Sequence, residues 1–249
     1  MEFRRRIKHT GRFFLLSHPT ERAILEEVGR RCVAFGLVVT LPAGTRLIRA
    51  RPQHGRRWTT PAELGPPPDE EAIQSNRMSP PGISLFYAAD DEATALDEMQ
   101  NPGTYAVAEF EVLRPAAVVD LTRVPPVPSF FDLDARPSRS SLVFLSRCAD
   151  EISRPIPRDD RIHLEYIPTQ VVTEYFRREF REPQLLGVRY ASSVRAGGVN
   201  TALFAGATSV VDGQPGFPLE AERRWLRLVR VWERRRRPAS PSAGNRRGR

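Results

Sequence analysis

The apolar residues of this chain fall in short runs, and that limits most what it can fold into. Residues 45–51 (TRLIRAR), 83–88 (ISLFYA), 104–113 (TYAVAEFEVL), 116–121, 185–190 and 199–204 have strand length and sit between Pro, Gly and Asp turns. Other segments carry helical spacing. In residues 20–35 the apolar positions are Ile24, Leu25, Val28, Cys32 and Phe35, with Thr20 as a candidate N-cap and Gly36 just past the end. Asp90 and Asp91 can cap a helix reaching about Met99. Residues 140–152 and 168–180 read as helices, the second with Pro168 in its first turn. Residues 225–232 (WLRLVRVW) fit strand or helix, and an amphipathic strand is preferred. Strands and helices follow one another without regular βαβ alternation, so an α+β fold is expected.

A chain of 249 residues is long enough to bury a sizeable core. No apolar run approaches the roughly 20 residues that span a bilayer. The basic N-terminus carries only the short FFLL as an apolar stretch, which reads as no signal peptide. Cys32 and Cys148 have neither metal-ligand spacing nor the density of a disulfide framework, so a cytoplasmic setting is expected. His9, His18, His54 and His163 are scattered, and no metal site is expected. The net charge is +8, and residues 220–249 hold eleven arginines against three glutamates, which accounts for the whole excess. Basicity therefore belongs to the C-terminal end and says nothing for nucleic-acid binding by the body. Residues 1–40 read as an N-terminal extension with a helix, 41–233 as the main domain, and 234–249 as a basic disordered tail.

Four places carry candidate chemistry. Arg49, on a strand face with Leu47 and Arg51, could grip pyrophosphate with its planar fork, or be a surface arginine with a buried stem. Arg77, in the loop NRMSPPG, could meet a phosphate or ribose, or belong to an ordinary turn. Tyr87 ends a short strand and Glu98 lies two turns into the next helix. Together they could stack on nicotinamide and steady a developing oxocarbenium charge, or be a core tyrosine and a solvated glutamate. Last, Ser192, Ser193 and Asn200 flank the Gly197-Gly198 turn, where they could bind phosphate or ribose oxygens. No GxSxG, GxxxxGK[ST] or GxGxxG occurs.

The segments LIRAR, NRMSPPGISLFYAADDEATALDE, HLEYIPTQVVTEYF and GVRYASSVRAGGVNTALF, in that order over roughly residues 40 to 210, resemble the RES domain. The leader and ELGPPP resemble the longer members of that family, which carry an N-terminal extension. The resemblance implies an ADP-ribosyltransferase-like fold of mixed, mostly antiparallel sheets with flanking helices. It also implies cleavage of NAD+ at the nicotinamide–ribose bond, by phosphorolysis or by hydrolysis, in a bacterial toxin or defence effector. NAD+ would be the substrate and inorganic phosphate the candidate co-substrate, with no resident cofactor. An antitoxin protein and a second copy of the chain would be the candidate partners, with no membrane and no nucleic acid among them. Carried over by position, the catalytic residues are Arg49, Glu98 and Ser192. Arg77, Tyr87, Ser193 and Asn200 bind substrate, and Ser193 is the alternative for the family serine. Many members have a tyrosine before the first arginine, where this chain has Ile48. The rival readings are ADP-ribosyl transfer to a macromolecule and a nucleic-acid-binding module working through the arginine-rich tail.

Overall fold

The computed structural model describes residues 19–99, 101–132, 136–154, 162–211 and 223–236. In chain order the strands are β1 Val38–Leu41, β2 Arg46–Pro52, β3 Phe86–Ala89, β4 Gly103–Val112, β5 Ala116–Asp120, β6 Gly187–Ala191, β7 Val199–Leu203, β8 Val210–Val211 and β9 Leu226–Arg236. The helices are α1 Pro19–Ala34, α2 Pro61–Leu64, α3 Glu92–Asp97, α4 Arg136–Ser153, α5 Ile162–Glu165 and α6 Ile167–Arg178. The fold is α+β. Its sheet runs β1-β5-β6-β7-β3-β2-β4-β9-β8, antiparallel except at β5–β6 and β8–β9.

That order hides a seam. β2 pairs along its whole length with β4, from Arg46↔Glu111 to Pro52↔Tyr105, and β3 along its whole length with β7. Between β2 and β3 the ladder has a single pair, Ile48↔Ala89. The sheet is thus two half-sheets that meet at one point and splay apart. A splayed seam leaves backbone groups without strand partners, and such groups need other donors or acceptors.

Apolar side chains cover both faces. Leu25, Val28 and Cys32 of α1, Leu145 and Ile152 of α4, and Val172 and Phe176 of α6 pack on Val119, Val188 and Ala202 of the first half-sheet. Beneath the other face, Leu47, Phe86, Phe110, Val118 and Leu203 close around Leu64 of α2. A third cluster joins Ala95 of α3 to Ile48, Ala50, Ala89 and Val107, directly below the seam. Both cysteines are free thiols. Among the described residues no helix is long and apolar enough to cross a membrane.

Four expectations change. α1 runs Pro19–Ala34, so Thr20 is a residue of the helix and not the one before it. The border placed at residue 40 falls inside β1, because Val38 and Val39 pair with Val119 and Val118; the extension is built into the sheet. The third strand starts at Phe86 and not at residue 83, since Ile83 turns back on Pro80 and the Ser84 amide donates to Asp69. The segment expected as tail from residue 234 is still strand through Arg236, paired with Gly103 to Tyr105 of β4. The remainder of that tail, from residue 237, lies outside the described residues.

Candidate active site

A cleft of about 450 Å³ opens at the seam, and its wall includes Arg49, Arg77, Tyr87, Glu98, Ser193 and Asn200. Six of the seven expected site residues therefore converge although they span 152 positions of chain, from 49 to 200. The seventh, Ser192, stands behind one of them.

Arg49 leaves β2 where the ladder to β3 has just ended. Its Nη1 donates to the Tyr87 carbonyl at 3.2 Å, replacing a lost strand partner, and its guanidinium lies 5.5 Å from the centre of the Phe86 ring. Burial, helped by the nearby Arg51 charge, lowers its pKa from 12.5 to about 10. The reading as a surface arginine with a buried stem does not describe it. Arg77 is held by the Glu151 carbonyl in the last turn of α4, at 3.2 Å, and by the Tyr166 ring at 5.6 Å. Its own carbonyl accepts the Thr169 hydroxyl of α6. Arg51, on Arg49's face of β2, reaches the Glu63 carbonyl and stacks on Trp58 at 4.7 Å.

These three arginines share one property. Arg46, Arg189, Arg195, Arg227, Arg230 and Arg234 each meet a carboxylate. Among the described residues Arg49, Arg51 and Arg77 meet none. Their fixed partners are carbonyls and rings, which orient a guanidinium without neutralising it. An uncompensated, partly desolvated cation is costly, and three at one cleft call for an anion.

Glu98 is the only carboxylate among the lining residues. Asp91 caps α3 by accepting from the Thr94 amide at 2.8 Å and from its hydroxyl at 2.6 Å. The helix ends at Asp97 and not at about Met99, so Glu98 is its C-terminal cap and not an interior residue. Its Oε1 accepts from Ser192 Oγ at 2.7 Å and from Asn200 Nδ2 at 2.6 Å. Ser192 Oγ in turn accepts the amides of Val194 and Arg195, at 3.2 and 3.1 Å, and Arg195 closes the turn on Asp97 at 2.9 Å. Both donors take the same oxygen of Glu98, which leaves Oε2 free of these bonds. Ser192 and Asn200, expected to touch substrate, here hold the carboxylate, and Ser193 lines the cleft.

Tyr87 is anchored by its hydroxyl, 3.0 Å from Ser79 Oγ, and burial pushes that phenol up to about 12. The sequence reading gave no role to Arg51, Tyr166, Tyr190, Gln74 or Asn76, which also line the cleft. Arg51 could have been found from its period-two relation to Arg49. Tyr166 had no comparable signal, because it precedes a helix whose apolar spacing reads as packing.

Among known protein families, residues 46–222 match the RES domain. No curated protein matches the chain.

Proposed function

The chain belongs to the RES domain family, and on that premise we propose that it cleaves NAD+ at the nicotinamide–ribose bond. The observation that carries this reading is the charge of the cleft: three arginines without carboxylate partners facing one clamped glutamate. The substrate this suits has a pyrophosphate for the arginines and a ribose that becomes cationic beside the carboxylate.

Arg49 and Arg77 hold the pyrophosphate or an attacking phosphate, and Arg51 adds to the field. Tyr87, fixed at its hydroxyl, packs its ring on nicotinamide or its ribose. Glu98 binds ribose hydroxyls through Oε2 and offsets the oxocarbenium charge as the C1″–N bond lengthens. The electron pair of that bond goes to the ring nitrogen, so nicotinamide leaves neutral and needs no acid. Attack by water yields ADP-ribose and a proton; attack by phosphate yields ADP-ribose-1″-phosphate. Ser192 and Asn200 act through Glu98.

The same reading includes the likeness to the ADP-ribosyltransferase fold, action in the cytoplasm as a toxin or defence effector, and an antitoxin as partner. Incubating the full chain with NAD+, with and without inorganic phosphate, and separating the products tests the reaction. Folded protein that leaves NAD+ untouched in both arms sinks it. ADP-ribose attached to an added protein or nucleic acid would favour transfer to a macromolecule instead.

A further inference from the structure

Tyr190 lines the cleft, and among the described residues no group bonds its hydroxyl. It lies on β6 opposite Asn200 of β7, and cross-strand partners share one face of a sheet. Its ring packs into the core with Val188 and Ala202, while the residue also lines the cleft. Among the described residues its hydroxyl has no hydrogen-bond partner, whereas Tyr87 is held by Ser79 and Tyr105 by the Asn101 carbonyl. It is not sealed in either: the fully enclosed side-chain atoms without partners are Ser84 Oγ and Arg114 Nε. Burial keeps the phenol well above its ordinary range, so it stays a neutral donor. The ionisable neighbours that bear on it are Tyr87, Glu98, Arg77 and Tyr166, all in the wall of the same cleft.

A hydroxyl that opens on the cleft and is engaged by no described protein group is available to a ligand there, and phenylalanine would fill the same space without it. We propose that Tyr190 is a substrate-contacting residue whose hydroxyl donates to an oxygen of the ribose that Glu98 binds. The inference rests on the NAD+-cleaving reading above. It adds a donor that explains why the polar atom is kept where the fold alone does not need it. Its place beside Asn200, itself on Glu98, puts it next to the carboxylate that binds the ribose.

The test compares full-length wild type with Tyr190→Phe, using NAD+ consumption and thermal melts with and without ADP-ribose. The expected result is kcat/KM lower by about tenfold or more, an unliganded Tm equal to or above wild type, and a smaller ADP-ribose-induced rise in Tm. Tyr105→Phe is the contrast: it removes a hydroxyl bonded within the protein and should lower Tm while NAD+ consumption is kept. Tyr190→Phe with kcat/KM within about twofold of wild type overturns the inference. So does a fall in unliganded Tm, since the hydroxyl would then serve the fold. Wild type inert toward NAD+ sinks the functional reading itself, which the variant-to-wild-type ratio does not address.

Discussion

Arg49 separates binding from stability by its titration. Its folded pKa of about 10 lies below 12.5, so the charged form costs stability, and that cost fades as pH climbs from about 10 toward 12.5. Anion binding has the opposite sign, because it needs the charge. The expected outcome is that calorimetric affinity for NAD+ or ADP-ribose weakens as pH rises through about 10. Arg49→Lys should lower affinity at neutral pH as well, since an ammonium lacks the paired donors that reach both the Tyr87 carbonyl and a phosphate. Affinity unchanged from about pH 9 to pH 11 would refute the assignment of Arg49 to the anion. Asn200 makes a second residue-level case. Asn200→Asp is nearly isosteric, but it replaces a donor at 2.6 Å from Glu98 with a like charge. kcat/KM should drop by about a hundredfold, whereas Asn200→Ala should lose less, because Ser192 still holds Oε1. Equal losses in the two variants would argue for a direct substrate contact by Asn200.

α3 and the 192–198 turn form the element on which the site depends, and their contact leaves no room. A Cβ on Gly198 would lie 2.7 Å from Thr94 Oγ1 and 2.9 Å from its Cγ2. Thr94 cannot yield easily: it is buried, and both its amide and hydroxyl are tied to Asp91. Gly198→Ala is therefore expected to cost about 1–3 kcal/mol of stability and to lower kcat/KM further, by moving Ser192 away from Glu98. Denaturant unfolding and NAD+ turnover on the same preparation check both halves. This element also marks how much of the site was legible. The Asp91 cap, the glycine turn and the order of Tyr87, Glu98 and Ser192 are local features, readable from residue types and from the family resemblance. That Ser192 and Asn200 share one oxygen of Glu98 depends on β3–β7 register and a close approach over about a hundred positions. No local pattern encodes such a distance. The three arginines show the same limit, because an arginine's sequence neighbours do not reveal whether a carboxylate will meet it in space.

At the scale of the whole molecule, β9 ties the second half-sheet to the site. Residues 225–232 fit strand or helix by pattern, with arginines at 227 and 230 among apolar positions; pairing with β4 over ten positions decides for strand. Arginines counted in the sequence as tail charge become partners within the fold: Arg227 on Glu111, Arg230 on Glu109 and Arg234 on Glu92. Glu92 opens α3 and also accepts Trp232 Nε1 at 3.1 Å, so the end of β9 braces the helix that carries Glu98. Truncation after Arg236 and truncation after Glu233 differ by three strand residues and by the Arg234 part of this brace. The shorter chain should melt about 2–8 °C lower than the longer one, from roughly 1–2 kcal/mol of lost pairing in a domain of this size. Its kcat/KM for NAD+ should fall by a larger factor than the Tm difference explains, because α3 loses an anchor at the end opposite Glu98. Glu92→Gln in the full chain isolates that anchor: it keeps an acceptor for Trp232 but weakens the hold on Arg234, and a smaller loss of turnover is expected. Two truncations with the same Tm and the same turnover would mean that residues 234–236 are tail in function as well as in composition, and that α3 needs no anchor from Arg234.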